Sequence, residues 1–479
     1  LKRRYRNIIL TGAAILMAAS FIWWLSGDPT GDFKKSVPGA DNRPPRADSL
    51  NEQVRIGEYF FAAGGTLTGG TEIWPRFRGA ESDNISKSKI PLIEGTAGLE
   101  LRILWWVNLG EGHAGAAIYK GAVYVLDYDE LKRSDILRCF NLNDGKEVWQ
   151  RGYRVNIKRN HGMSRTVPAV DEKNVVTIGP RAHVMCLDRL TGNLKWGIDV
   201  EKDYKTEIPF WYTGQCPLME NGLVIIATGG KALMIAVDAE TGQKVWETPN
   251  PKSWKMSHSS VMPMEFGGRR MYVYSAIGGI CGIAADGPDA GTVLWSSGAW
   301  NKSVVAPSPV CMPDGRIFLT AGYGAGSMVL QLSQSGGTFT VAVTDQYLPS
   351  EGLASEQQTP LWFDGHLIGI APKDAGEFRN QLICVAPSNC RVPVWSSGSE
   401  NRFGLGPYMI ADNKLFILND DGTLTIVRPD VRKFIKVDQV KLFDGQDAWA
   451  PLAVADGYMV LRDSKKMVCL KLTANQGTQ

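Results

Sequence analysis

Read for polarity alone, the chain falls into two unequal parts. Ile8 to Leu25 is an unbroken run of 18 residues without a charge, preceded by the basic flank Lys2, Arg3, Arg4 and Arg6. From about Ile73 onward the apolar residues come in short runs separated by Gly, Asp, Asn and Thr, which is the alternation of short strands and tight turns. One phrase of it recurs. It reads Cys186-Leu187-Asp188-Arg189-Leu190-Thr191-Gly192-Asn193-Leu194-Lys195-Trp196, then Ala236-Val237-Asp238-Ala239-Glu240-Thr241-Gly242-Gln243-Lys244-Val245-Trp246, with a looser copy from Cys139 through Asn143-Asp144-Gly145 to Trp149. Each copy is a strand end, an acidic or amide residue, a glycine supplying the positive φ of a tight hairpin, and a short strand closing on tryptophan. Tryptophan is large enough to wedge between neighbouring sheets.

The spacing sets the architecture. Trp149, Trp196, Trp246 and Trp295 follow one another at 47, 50 and 49 residues; Trp395 comes 100 residues later, two periods with one tryptophan lost near Phe339. A period of roughly 40–50 residues made of short strands marks a β-propeller blade. Small residues and proline pick out eight inner strands: Ala114–Tyr119, Thr166–Val170, Gln215–Met219, Ser259–Met264, Ala306–Cys311, Gln358–Phe363, Gly406–Ile410 and Ala448–Val454. The expected fold is all-β, an eight-bladed propeller of four-stranded antiparallel blades, WD40-like in outline. The eighth blade ends at Leu472 without a fourth strand, and a spare strand, Leu101–Leu109, precedes the first. The N-terminal strand is therefore expected to complete the last blade and close the ring, leaving only short edges.

Residues 1–6 read as a cytoplasmic basic flank and 7–25 as an uncleaved transmembrane signal anchor. At about 1.5 Å per residue the apolar run just crosses a hydrocarbon core of about 30 Å. The basic flank puts the N-terminus in the cytoplasm, and Trp23-Trp24 suits the far interface. Cleavage near Ala18-Ala19-Ser20 is the competing reading and makes the chain secreted; the apolar run, however, continues past it to Leu25. No cysteine precedes Cys139, so nothing supports a lipid anchor on an N-terminal cysteine. Residues 26–72 read as a flexible tether, rich in Gly and Pro among mixed charges. A short helix is expected within it over Arg46–Ala63, from Leu50, Val54 and Phe61 on one face. The propeller spans 73–473 and a tail 474–479.

The phrase apolar-x-D-x-x-T-G-x-x-x-W resembles the repeat of the pyrroloquinoline-quinone-type (PQQ-like) propellers, over about four-fifths of the chain. Trp74-Pro75-Arg76-Phe77-Arg78-Gly79 is similar to a motif that precedes the first blade in such proteins of planctomycete and verrucomicrobial bacteria. Its expected job is to pack Trp74 and Phe77 against the propeller rim. The repeat occurs in quinone-binding and non-quinone proteins alike, so it implies fold before chemistry.

A net charge of +3 gives no case for nucleic acid. Of eight cysteines, Cys139, Cys186, Cys384 and Cys469 share one repeat position and lie too far apart on a ring to pair. Cys384 and Cys390 flank a turn and are a possible bridge in an oxidising compartment. C-x-x-C, H-E-x-x-H and G-x-S-x-G are absent. Gly110-Glu111-Gly112-His113-Ala114-Gly115 matches G-x-G-x-x-G, but an inner strand follows where a dinucleotide site needs a helix.

Loops entering the inner strands crowd one mouth of the central channel, the default binding site of such a ring. The expected ligand-binding residues are His113, His161, Arg165, Trp211, His258, Glu356, Gln357 and Trp449, with no catalytic residue and no metal assigned. His161 with Lys158, Arg159 and Arg165 forms the densest positive cluster and suits an anionic ligand. The resemblance implies three functions. The first is a non-catalytic platform, without cofactor, tethered to the cytoplasmic membrane with its propeller in the periplasm and holding protein partners of the cell envelope; it is similar to the propeller lipoprotein of the outer-membrane protein assembly machinery, from which it departs in its anchor and long tether. The second is a quinoprotein dehydrogenase oxidising alcohols or sugars with PQQ and Ca2+, for which Glu356, Asp447 and Asn160 are the available oxygen ligands and the family's adjacent cysteine pair is missing. The third is a polysaccharide-binding propeller stacking sugars on Trp211, Trp254, Trp300 and Trp449.

Overall fold

The computed structural model describes residues 2–26 and 54–473, with the backbone alone at 100 and 101. One turn explains how the repeat becomes a blade. Asp188 Oδ1 accepts from the amides of Leu190 (3.1 Å) and Thr191 (2.8 Å) and from the Thr191 hydroxyl (2.8 Å), and Gly192 follows at φ 69°. Asp238, Glu240 and Thr241 repeat these contacts at 3.1, 2.8 and 2.8 Å, with Gly242 at φ 71°. The aspartate satisfies the turn amides locally, so the two strands need no other partner to reverse.

The tryptophan then joins one blade to the next. Trp149 Nε1 donates to Leu190 O at 3.0 Å, and a Cβ on Gly192 would lie 2.7 Å from its ring. Trp196 docks in the same way on Ala239 O (3.0 Å) and Gly242, and Trp105 on Leu142 O (2.7 Å) and Gly145. The glycine therefore serves the turn and the seam together: no other residue leaves space for the indole. The fourth blade departs from this. Trp295 turns onto Gly282 of its own blade, and Phe339 packs back on Gly267.

Eight antiparallel blades of four strands each result, at 117–154, 169–199, 218–249, 262–297, 310–347, 361–396, 408–441 and 453–471 with Ile103–Asn108, the first extended to a six-stranded sheet by Tyr59–Ala62 and Ile73–Trp74 at its two edges. Ile103–Asn108 pairs antiparallel with Lys466–Lys471, so the N-terminal strand closes the ring as expected. The inner strands are shorter than the expected ranges and lie toward their C-terminal ends: Ala169–Val170 and Val310–Cys311 have two residues each. The lead-ins bond across blades instead. The amide of Val167 donates to Cys216 Sγ (3.2 Å), Cys216 to Ser260 Oγ (3.0 Å), Ser260 to Ser308 Oγ (3.0 Å) and Ser308 to Thr359 Oγ1 (2.8 Å). Five blades are thus belted around the channel.

Lys2–Ser26 is a single helix with no residue buried against the rest, long and apolar enough to cross a membrane. The helix expected over Arg46–Ala63 is absent from its described part: residues 54–58 form a turn and Tyr59–Ala62 is a strand added antiparallel to Glu147–Arg154 on the outside of blade 1. Residues 27–53 of the tether lie outside the described residues. The Trp74–Gly79 motif does not sit on the rim. Ile73–Trp74 pairs with the inner strand of blade 1, the amide of Val170 donates to Pro75 O (2.8 Å), and Arg76 Nη1 reaches Met219 O (2.8 Å) in blade 3. Arg78 reaches Thr359 O (2.9 Å) and Pro360 O (3.2 Å) in blade 6, and Ile85 bridges Ile410 in blade 7. The segment crosses the channel. Cys384 and Cys390 are both free: Cys384 packs in the seam to blade 7 and Cys390 in the seam to blade 5, on opposite faces of their sheet.

Candidate functional site at the channel mouth

The channel is organised in three layers along its axis. The belt of lead-in amides lies in the middle. At the end where the inner strands leave it, the Trp74–Ile85 segment fills the opening. Arg78 is buried there and spends its guanidinium on four carbonyl oxygens, of Ser82, Asp83, Thr359 and Pro360; burial holds its pKa down to about 10.

The opposite end is the mouth, and the sequence-derived residues do gather there, in two groups. Around blades 8, 1 and 2, His113 stacks on Trp449 with centroids 4.9 Å apart. The Trp449 indole donates to Asp420 Oδ1 (2.9 Å), and its carbonyl accepts from Gln358 Nε2 (3.0 Å). Around blades 3 to 6, Trp211 stacks on Tyr323 (5.5 Å) and leans on His258 (6.1 Å) and Phe210 (5.5 Å). Tyr323 belongs to blade 5, so Trp211 reaches over blade 4 and roofs that side of the mouth. Glu356 lies under Tyr323, its Cγ close against Gly322.

Arg165 ties the groups together. Its Nε donates to Trp211 O (2.6 Å) and its Nη2 to the carbonyls of Asn160 (2.7 Å), His161 (2.7 Å) and Gly162 (3.1 Å). It is a loop fastener here, with Nε and Nη2 spent on carbonyl oxygens. Its neighbour His161 is exposed at φ 51°. Burial, then the charges of Arg165 and Arg462, pull the His113 pKa down to about 3; burial and then Arg165 do the same to His258. Both imidazoles are neutral at any ordinary pH, so neither brings positive charge to the mouth. Of the positive cluster expected there, Arg165 is spent on carbonyls and Arg159 pairs with Glu111 at 2.6 Å, while Lys158, Arg159 and His161 stay exposed.

Glu356, Gln357 and Gln358 line a cleft of about 210 Å3 with Lys373, Asn380 and Asp420. Burial raises the pKa of Asp420. Asp420, Tyr323 and Phe210 escaped the sequence reading. Tyr323 alone left a signal, an aromatic in the glycine-rich hairpin 322–326. Of the proposed sugar-stacking rings, Trp254 and Trp300 are buried in the core and unavailable, whereas Trp211 and Trp449 are half-buried at the mouth.

The oxygen ligands that a quinone-bound Ca2+ would use come from three different blade entries. Asn160 belongs to the blade 2 entry, where its amide donates to Phe210 O (2.9 Å). Glu356 belongs to blade 6, and Asp447 to the blade 8 entry beside His113. Among the described residues no three His, Cys, Asp or Glu side chains converge.

Comparison with known proteins gives the family. Residues 132–391, slightly more than half of the chain, match the family described as outer membrane protein assembly factor BamB. No curated protein matches. Similar solved structures include BamB from Moraxella catarrhalis, at 12% identity over 77% of this chain and 99% of that one, with TM-score 0.49. They also include the quinohemoprotein alcohol dehydrogenase of Comamonas testosteroni, at 12% identity over 85% and 82%, TM-score 0.47. The C-terminal WD40 domain of Sif2 matches at 9% identity over 78% and 98%, TM-score 0.47.

Proposed function

The chain belongs to the family described as outer membrane protein assembly factor BamB, and from that premise we propose that it is a non-catalytic, membrane-tethered β-propeller that holds protein partners in the cell envelope. The observation that carries this reading is a channel filled at one end and partly roofed at the other by the protein's own residues. Arg78 and its segment fill one end, and the Trp211–Tyr323 stack covers the blade 3 to 5 side of the other. A ring filled in this way offers its surface, and at the mouth that surface is apolar and aromatic, the composition enriched at the anchoring centres of protein interfaces. Phe210 is 46% exposed at its margin. The apolar helix Lys2–Ser26 supplies the membrane attachment, with the propeller on the periplasmic side.

The test is site-specific photo-cross-linking in native membranes, from a reactive side chain placed at Phe210 of the full chain. A discrete protein adduct is expected, and it should be lost when Trp211→Ala and Tyr323→Ala remove the stack behind it. Identical adducts with and without the stack, or none at all, would sink the mouth as the partner surface.

A further inference from the structure

Each blade of a propeller leaves one side of its outermost strand open, a row of amides and carbonyls that can template another chain. This ring blunts most of those edges. Tyr59–Ala62 covers the outer strand of blade 1. Pro393 interrupts that of blade 6, Asn389–Ser396, and a proline cannot donate to a ladder. The outer strands of blades 2, 3 and 7 carry charges of both signs, among them Lys195, Glu247 and Asp438. That of blade 4, Val293–Ser297, has five residues. That of blade 8 is bulged after Ile103, and Lys466 lies over its exposed Trp106.

Blade 5 is the exception. Its outer strand, Thr338–Tyr347, runs for ten residues, and from Gly336 to Thr344 the chain has neither charge nor proline. The bulge comes late, at Thr344, so the stretch before it is regular. The turn Gly336-Gly337, at φ 55° and 83°, makes Ser335 and Thr338 a hydrogen-bonded pair. Thr338, Thr340 and Ala342 therefore bond within the blade, and Phe339, Val341 and Val343, which alternate with them, turn their backbone groups outward. Leu332, opposite Val341, agrees: its amide points the other way, to Gly315 O at 2.9 Å. Among the described residues nothing bonds the three outward amides. Thr338, Thr340, Ala342 and Thr344 are exposed, and Val343 is 45% exposed.

We propose that this edge pairs with the same edge of a second copy of the chain, antiparallel about a two-fold axis at Val341. The strand is complementary to itself in that register. Val341 meets the second copy's Val341 and Phe339 meets its Val343, each pair exchanging both N–H···O bonds. The other face matches as well. Thr340 falls opposite Ala342, and Thr338 opposite Thr344, a threonine pair of the kind that stabilises sheets. Asp345, the first charge along the strand, falls opposite Gly337, so no like charges meet. The pairing uses one patch twice and closes on itself, which limits the assembly to two copies. It leaves the mouth out, so it and the partner reading stand or fall separately.

The test is disulfide trapping in membranes. Thr340→Cys and Ala342→Cys are made in separate full-length chains bearing different tags, the two chains are co-expressed, and the membranes are treated with a mild oxidant. The native cysteines are buried or half-buried, so the new thiols react first. The pairing sets Thr340 opposite Ala342 with Cα atoms about 4.5 Å apart. Thr340 and its own counterpart would be about 8 Å apart, beyond disulfide reach. A linked dimer bearing both tags is expected when the two variants are together, and none from either variant alone. Absence of the mixed dimer overturns the proposal. A dimer of Thr340→Cys with itself overturns it too, since that product needs another register or chance collision. A disulfide to a different protein, without the mixed dimer, would give the edge to a foreign strand and overturn the second copy as its occupant.

Discussion

Among the described residues Asp135 is the most deeply buried carboxylate. It is fully buried in blade 1, with Oδ2 accepting from the Tyr153 hydroxyl (2.9 Å) and Tyr153 in turn edge-on to buried His183. Burial, only partly offset by that hydrogen bond, raises its pKa from 3.8 to about 7. The unfolded chain loses this proton near 3.8 and the folded chain near 7. In between the unfolded state binds fewer protons, so this group's contribution makes stability fall as pH rises from about 4 to 7, and level off above. Asp135→Asn keeps an oxygen for Tyr153 and removes the titration. The variant should gain on the wild type progressively across that window, by about 3–4 kcal/mol at pH 7.5, read as the difference in urea midpoints. A constant difference across the window would show that Asp135 ionises normally in the fold. None of this was legible in sequence, because Asp135 stands in a polar-looking hairpin and only the packing of blade 2 against it makes it dry. The Asp-Thr-Gly turns and docking tryptophans, by contrast, were legible, because their partners are local or recur at one period. Trp295 and Phe339 share the period and pack the other way round, a difference that spacing does not carry.

At the scale of elements, residues 54–102 act as one strap. Its strand Tyr59–Ala62 lengthens blade 1, Glu72 and Thr71 meet Asp456 of blade 8, Arg76 and Arg78 cross the channel, and Leu92 and Thr96 bond Asp412 and Asp438 of blade 7. Sequence gave the closing strand, since a blade one strand short and a strand to spare imply each other. It missed the strap: the 54–102 path is set by bonds to carbonyls and carboxylates hundreds of residues away, and helical spacing at Val54 and Phe61 competes with the strand preference of Tyr-Phe-Phe at an open edge. A chain beginning at residue 64 keeps the closing strand and the channel segment, losing from the ring only the edge strand and its lead-in Val54–Glu58, and should resist limited proteolysis like the full propeller. A chain beginning at residue 109 loses the outer strand of blade 8 and the channel filling together. It leaves Lys466–Lys471 as an unpaired edge and the carbonyls of Thr359 and Pro360 without donors, and should be cut throughout the ring. Equal resistance of the two chains would mean that the ring closes without its strap.

For the whole molecule, the question is whether the channel can admit a flat cofactor. A planar ring inserted between two aromatic rings needs about 3.5 Å on each side, hence about 7 Å between them. Trp211 and Tyr323 are 5.5 Å apart, and His113 and Trp449 are 4.9 Å apart, so both stacks are already closed on themselves. Opening the first would also expose His258, whose neutral form depends on burial. Entry from the other end would have to displace Arg78 from its four carbonyls. Pyrroloquinoline quinone with Ca2+, added in large excess to the full chain, should therefore leave both the melting temperature and the quinone absorbance unchanged. A ligand held by the folded state alone at a hundred times its Kd adds about 2.7 kcal/mol, so a real site could not stay hidden. An upward shift with an altered quinone spectrum would mean that the aromatic roof opens in solution, and Trp211→Ala, by removing one leaf of it, should then tighten the binding.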